Sequence, residues 1–155
     1  MNFELVLAQY AAGILRSEDT PAIASALIDR GVTDASVAEL VSLREPTWRD
    51  ARKLFEEGLR AAGFHIPTAD DAKRLILHWT LEAIVSRELA PQLGAERIWQ
   101  HWHELRLPHE IAVSRMLVLS EEWSDHPHER PRIETLIRAE AAELLRQYPK
   151  PSAPT

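Results

Sequence analysis

Histidine is the residue type in this chain best placed to do chemistry. Seven are present, and five of them, His101, His103, His109, His126 and His128, fall between positions 101 and 128. Imidazole binds zinc, nickel, copper or iron, and carboxylates complete such sites. Two ligands on one helix must be three or four residues apart to face the same way. His78 and Glu82 satisfy this at i, i+4, and His101 and Glu104 at i, i+3. His101 and His103 do not, because two residues along a helix are turned by about 200°. One expectation is therefore a metal site inside a helical bundle, built from His78, Glu82, His101 and Glu104. The same residues also read as ordinary surface. Asp71, Arg74, His78 and Glu82 make one polar stripe, a solvated face with weak i, i+4 pairing.

Other chemistries lack their parts. None of the serines lies in a Gly-x-Ser-x-Gly setting, and the chain has no Gly-x-x-x-x-Gly-Lys-Ser/Thr loop. Glu56-Glu57 and Glu121-Glu122 are adjacent acids, and adjacent residues on a helix do not face each other. There is no cysteine, so disulfides, thiolate zinc sites and a cysteine nucleophile are excluded. The reading calls for no cofactor, and enzymatic activity is the lesser expectation.

The elements that must position these groups are announced by their ends. Thr20-Pro21, Thr47-Trp48-Arg49-Asp50, Thr68-Ala69-Asp70-Asp71, Ala90-Pro91 and Leu107-Pro108 each precede an apolar run of helical spacing. Proline suits a first helical position, and a threonine with an acid three residues on forms a capping box. Gly31 and Gly63 follow such runs as stops. The spacing predicts helices over residues 3–15, 21–30, 34–43, 48–62, 69–88, 91–105, 109–123 and 132–148, with 124–131 as a loop. Residues 69–88 carry two apolar stripes and should be central. No strand pattern is present. The fold expected is all-α, a compact, partly orthogonal bundle of about eight helices, whose uneven lengths speak against an up-down four-helix bundle. It is expected as a single domain over 1–148, followed by a disordered proline-rich tail at 149–155.

Trp79, Trp99, Trp102 and Trp123 lie on three consecutive predicted helices. Their size favours one shared core cluster over a pocket. Trp48 opens its helix and is expected to be partly exposed.

The chain has 155 residues, a net charge of −6 and a mean hydropathy of −0.26. Residues 1–45 hold seven acids and three bases, the most acidic third. Such a balance argues against nucleic acid as a partner. Trp48, Arg49, Arg52 and Lys53 would open the second helix of a helix-turn-helix over 34–62, but Asp50, Glu56 and Glu57 share that helix. No apolar run is long enough to span a bilayer, and Met1-Asn2-Phe3-Glu4 lacks the basic start of a signal peptide. A cytoplasmic setting is expected.

Residues 83–99 read Ala-Ile-Val-Ser-Arg-Glu-Leu-Ala-Pro-Gln-Leu-Gly-Ala-Glu-Arg-Ile-Trp. This apolar helix end, polar turn, proline and Gly-Ala-x-x-Ile-Trp resembles a segment of small helical bacterial proteins of uncharacterised function. The run Trp-Ser-Asp-His-Pro-His-Glu-Arg-Pro, leading into residues 137–145, is similar to their C-terminal half. The resemblance covers roughly residues 70–146, with Arg87 or Glu88 standing where that pattern has glycine. It implies a bacterial helical domain and brings no catalytic residues.

The functional expectation is a non-enzymatic bacterial interaction protein, immunity-like or regulatory, whose partner is a more basic protein. Its expected contact surfaces are the acidic N-terminal third and the His/Glu-rich loop at 124–130, with Asp125, His126, His128, Glu129 and Trp48 as contact residues and a homodimer face as a further option. The alternative is the metal- or small-molecule-binding helical protein using the His/Glu set.

Overall fold

The structure, a computed structural model, describes residues 1–104 and 113–151; of His103 and Glu104 it describes the backbone alone. The described residues are all-helical, with α1 Phe3–Ala11, α2 Thr20–Asp29, α3 Ala35–Ser42, α4 Trp48–Ala61, α5 Ala69–Val85, α6 Pro91–Glu104, α7 Ser114–Asp125 and α8 Arg130–Gln147. Short 3-10 turns, Ser17–Asp19 and Pro127–Glu129, precede α2 and α8. The Leu107-Pro108 start and the predicted residues 105 and 109–112 lie outside the described residues.

The capping signals work as their chemistry requires. The Asp50 carboxylate accepts from the Thr47 backbone N–H at 3.2 Å and from its hydroxyl at 2.7 Å. These bonds stabilise the charged form, holding the Asp50 carboxyl below its ordinary range. At α5 the Thr68 hydroxyl accepts from the Asp71 N–H and donates to its carboxylate. Thr20 behaves differently from the expectation. It lies inside α2 and its hydroxyl donates to the Ser17 carbonyl, closing the 3-10 turn before the helix.

The predicted first helix is too long. Gly13 has φ +75° and ends α1 after Ala11, with the Ile14 N–H turned back to the Gln9 carbonyl. A left-handed residue at this place satisfies the last carbonyls and redirects the chain. Leu15, rather than Ile14, is then buried. Gly31 and Gly63 end α2 and α4 as expected. At the end of α5 the left-handed residue is Arg87, at φ +67°. Glycine adopts this region without a Cβ penalty.

The chain divides into two compact units, Met1–Pro67 and Thr68–Thr155, where the sequence reading takes 1–148 as one domain. Each unit has its own core. In the first, α2 packs on α3 and α4, and α3 on α4. Its core joins Phe3, Leu7, Ile23, Leu27, Leu40 and Phe55. Ile28 and Val41 are exposed, because Ile23, Val37 and Leu40 occupy the buried sides of these short helices. In the second unit, α5 packs on α6, α6 on α7, α7 on α8, and α8 returns to α5. The four helices thus close a ring around Leu81, Ile84, Ile98, Met116, Ile137 and Leu144. Uneven length across the whole chain obscured this four-helix arrangement. Val85 is exposed at the end of α5.

Candidate interaction site

The turn between α7 and α8 brings most of the expected contact residues together. The 124–131 stretch is more ordered than a loop, since α7 runs to Asp125 and α8 begins at Arg130. Pro127 opens the 3-10 turn and Pro131 lies in the first turn of α8, both places where a missing N–H costs nothing. The His126 N–H reaches the Glu122 carbonyl at 2.9 Å, and the Glu129 N–H reaches His126 at 2.9 Å. Asp125, His126, His128 and Glu129 are all exposed.

A latch beneath the turn fixes it. The Arg130 guanidinium lies 4.0 Å from the centroid of the Trp123 ring, a cation–π distance. Its Nε donates to the Trp123 carbonyl at 3.3 Å. The indole Nε1 donates in turn to Glu134 at 3.3 Å. Glu129 pairs with Arg132 at 2.7 Å on the outside. The turn is therefore tied at its start by Trp123 and at its end by Arg130 and Glu134. Sequence reasoning missed Arg130 and Glu134. Their signal is an arginine and a glutamate spaced to reach a tryptophan across a proline-bounded turn.

Trp48 belongs to a different environment. Its Nε1 donates to the Leu15 carbonyl at 3.2 Å. The ring lies 5.3 Å from Tyr10 and 5.9 Å from Phe55. It is half-buried, as expected, on the wall of an open depression of about 420 Å³ shared with Arg49, Arg52, Lys53 and Glu56. Three cations and one carboxylate line the depression beside it. The Tyr10 hydroxyl donates to Glu56. Burial, then this bond and the negative charge, push the Tyr10 hydroxyl up to about 12.

The proposed metal ligands are only partly gathered. His78 Nε2 and Glu82 Oε1 are 3.5 Å apart. His101 is half-buried on α6, and the Glu104 side chain lies outside the described residues. Among the described residues, no three His, Asp or Glu side chains stand close enough to share a metal ion. His78 is not the solvated residue its polar stripe suggests. Its side chain is 12 % exposed, and Nδ1 is buried with no hydrogen-bond partner among the described residues. It lines a cleft of about 350 Å³ with Arg74 and Leu77 of α5 and residues 147–151 at the end of α8. Residues 149–151, assigned by composition to a disordered tail, lie along this cleft, and Lys150 Nζ sits 5.4 Å from the Trp79 ring centroid.

The four tryptophans of the second unit do not form the expected single core cluster. Trp99 and Trp102 stack on each other at 6.3 Å and are each 36 % exposed. Trp123 lies under Arg130, and Trp79 lies under Lys150. Leucine, isoleucine and methionine fill the core instead, since four broad rings exceed the space between tightly packed helices.

Among the described residues the fold is all-helical, and the α7–α8 turn exposes Asp125, His126, His128 and Glu129. No family model matches the chain, and neither a curated protein nor a solved structure is significantly similar to it. Among the described residues no helix is long and apolar enough to cross a membrane.

Proposed function

We propose that this chain is a non-enzymatic interaction protein that engages a more basic protein through the α7–α8 turn. The supporting observation is the latch. Trp123, Arg130 and Glu134 hold four exposed polar residues, Asp125, His126, His128 and Glu129, in one arrangement before any partner arrives. A preformed contact surface avoids the ordering cost that a loose loop meets on binding. Asp125 and Glu129 supply carboxylates, and the −6 net charge would speed encounter with a cationic partner. An immunity-like or regulatory role in a bacterial cytoplasm belongs to the same proposal, and the bacterial part rests on the resemblance of residues 70–146.

The test is affinity capture from a lysate of the source organism, with the intact chain set against a D125A/H126A/H128A/E129A variant. The expected result is a basic protein retained by the parent and lost by the variant, with Trp48→Ala retaining it. Equal capture by parent and variant overturns the turn as the contact. Recovery of no partner, together with a measured turnover, overturns the non-enzymatic reading.

A further inference from the structure

We propose that the first two turns of α4 are a docking site for a short acidic protein segment, its carboxylates paired with Arg49 and Arg52 and one apolar side chain seated beside Trp48. Arg49, Arg52 and Lys53 stand at i, i+3 and i+4 on α4, a spacing that puts them on one helix face. With Trp48 and Glu56 they line the open depression of about 420 Å³. The Trp48 indole is held by its bond to the Leu15 carbonyl at 3.2 Å, so this wall is in place before a ligand arrives.

The acids of α4, which count against an anionic partner in the sequence, are each engaged. Asp50 accepts from the Thr47 N–H and hydroxyl at the helix start. Glu56 accepts from the Tyr10 hydroxyl, and Glu57 faces Lys53 at 3.9 Å. Arg49 and Arg52 are exposed, and neither makes a hydrogen bond or an ion pair among the described residues. Their charges act through space, on Asp50 and on the Tyr10 hydroxyl. Their planar forks of N–H donors match the two oxygens of a carboxylate. Local stability does not account for these cations, since Arg49 lies in the first turn of α4, where positive charge opposes the helix dipole. A nucleic-acid backbone calls for a longer basic track than three cations in a chain of net charge −6. An inorganic anion would leave the Trp48 wall unused. A short acidic segment with one apolar residue uses both parts, in the manner of arginine clusters that read acidic motifs. This partner is opposite in charge to the one assigned to the α7–α8 turn, so the two readings fail independently.

The experiment titrates the full chain with the acetylated, amidated peptide Asp-Glu-Leu-Glu-Asp at constant ionic strength, following amide and indole N–H NMR shifts. Separate arms use Asn-Gln-Leu-Gln-Asn, Asp-Glu-Gly-Glu-Asp and a mixed-sequence DNA duplex. The expected result is saturating shifts at residues 48–56, the Trp48 indole N–H among them. Arg49→Gln and Arg52→Gln should each weaken binding about two- to five-fold, the range of an exposed ion pair. The double variant should weaken it about ten-fold without lowering the melting temperature, since neither arginine pairs within the described residues. Non-saturating shifts, equal binding of the Asn/Gln peptide, or unchanged affinity in R49Q/R52Q overturn the site. Equal binding of the glycine peptide overturns the apolar seat beside Trp48. Tighter binding of the duplex overturns the acidic-segment assignment.

Discussion

The two units differ in whether aromatic rings enter the fully buried core. In the first, Phe3 stacks on Phe64 at 5.1 Å, and Tyr10, Trp48 and Phe55 meet one another within 5.9 Å. These rings belong to or pack against the core. In the second, the buried core is aliphatic; Trp123 and Tyr148 pack against its edge, Trp99 and Trp102 stack on each other, and Trp79 lies under Lys150. The difference teaches where to look for function. Aromatics that hold a core are explained by stability, because each buries a large apolar area. In the second unit Trp123 and Trp79 lie under Arg130 and Lys150, at the latched turn and beside the cleft.

The contrast breaks most sharply at Phe55. Phe55→Ala empties a fully buried site between Tyr10 and Trp48 and should cost about 3–5 kcal/mol. Chemical denaturation with hydrogen-exchange protection across α1–α4 measures it. Trp99→Ala in the second unit should cost less than Phe55→Ala, since Trp99 is 36 % exposed whereas Phe55 is fully buried. Comparable losses would show that the tryptophans of the second unit are structural after all.

Glycine at the helix crossings gives the next contrast. A Cβ at Gly94 would lie 2.3 Å from Ile84 Cγ1, inside the second core, so Gly94→Ala should destabilise by about 1–3 kcal/mol. At Gly58 the nearest atom is Val37 Cγ2 at 2.9 Å. There the gain in helix propensity, about 1 kcal/mol, offsets much of the crowding. Gly58→Ala should therefore change the melting temperature less than Gly94→Ala.

The latch is expected to contribute about 1–2 kcal/mol, the range of a partly desolvated cation–π contact. Arg130→Ala should remove this and speed exchange of the amides of residues 125–129. An unchanged exchange rate would mean that the turn needs no latch. Arg87→Gly is predicted to work in the opposite direction, stabilising by about 0.5–1 kcal/mol, because glycine adopts φ +67° without a Cβ penalty.

The last contrast is pH-dependent and belongs to Tyr10. Its hydroxyl titrates at about 12 in the folded chain against 10.0 ordinarily. A raised folded value means the stabilisation is complete below pH 10 and is lost as pH rises towards 12. The melting temperature should fall over that window, and Tyr10→Phe should flatten the fall.

The sequence by itself determined the helices, because capping boxes, first-turn prolines and apolar spacing are local signals carried within a few residues. Thr47 with Asp50 and Thr68 with Asp71 act where expected, and the residues of the α7–α8 turn are exposed as predicted. The ends of α1 and α5 were less legible. Gly13 stops a stripe that continues beyond it, and Arg87 occupies a conformation its residue type does not announce. Tertiary structure alone decided the two cores, the burial of His78 beside residues that composition assigned to a loose tail, and the placing of tryptophan at the rim of the second unit. Each of these depends on which faces of distant segments meet. Apolar spacing reports that a face wants burial, but the helix that will cover it is chosen by packing across the whole unit.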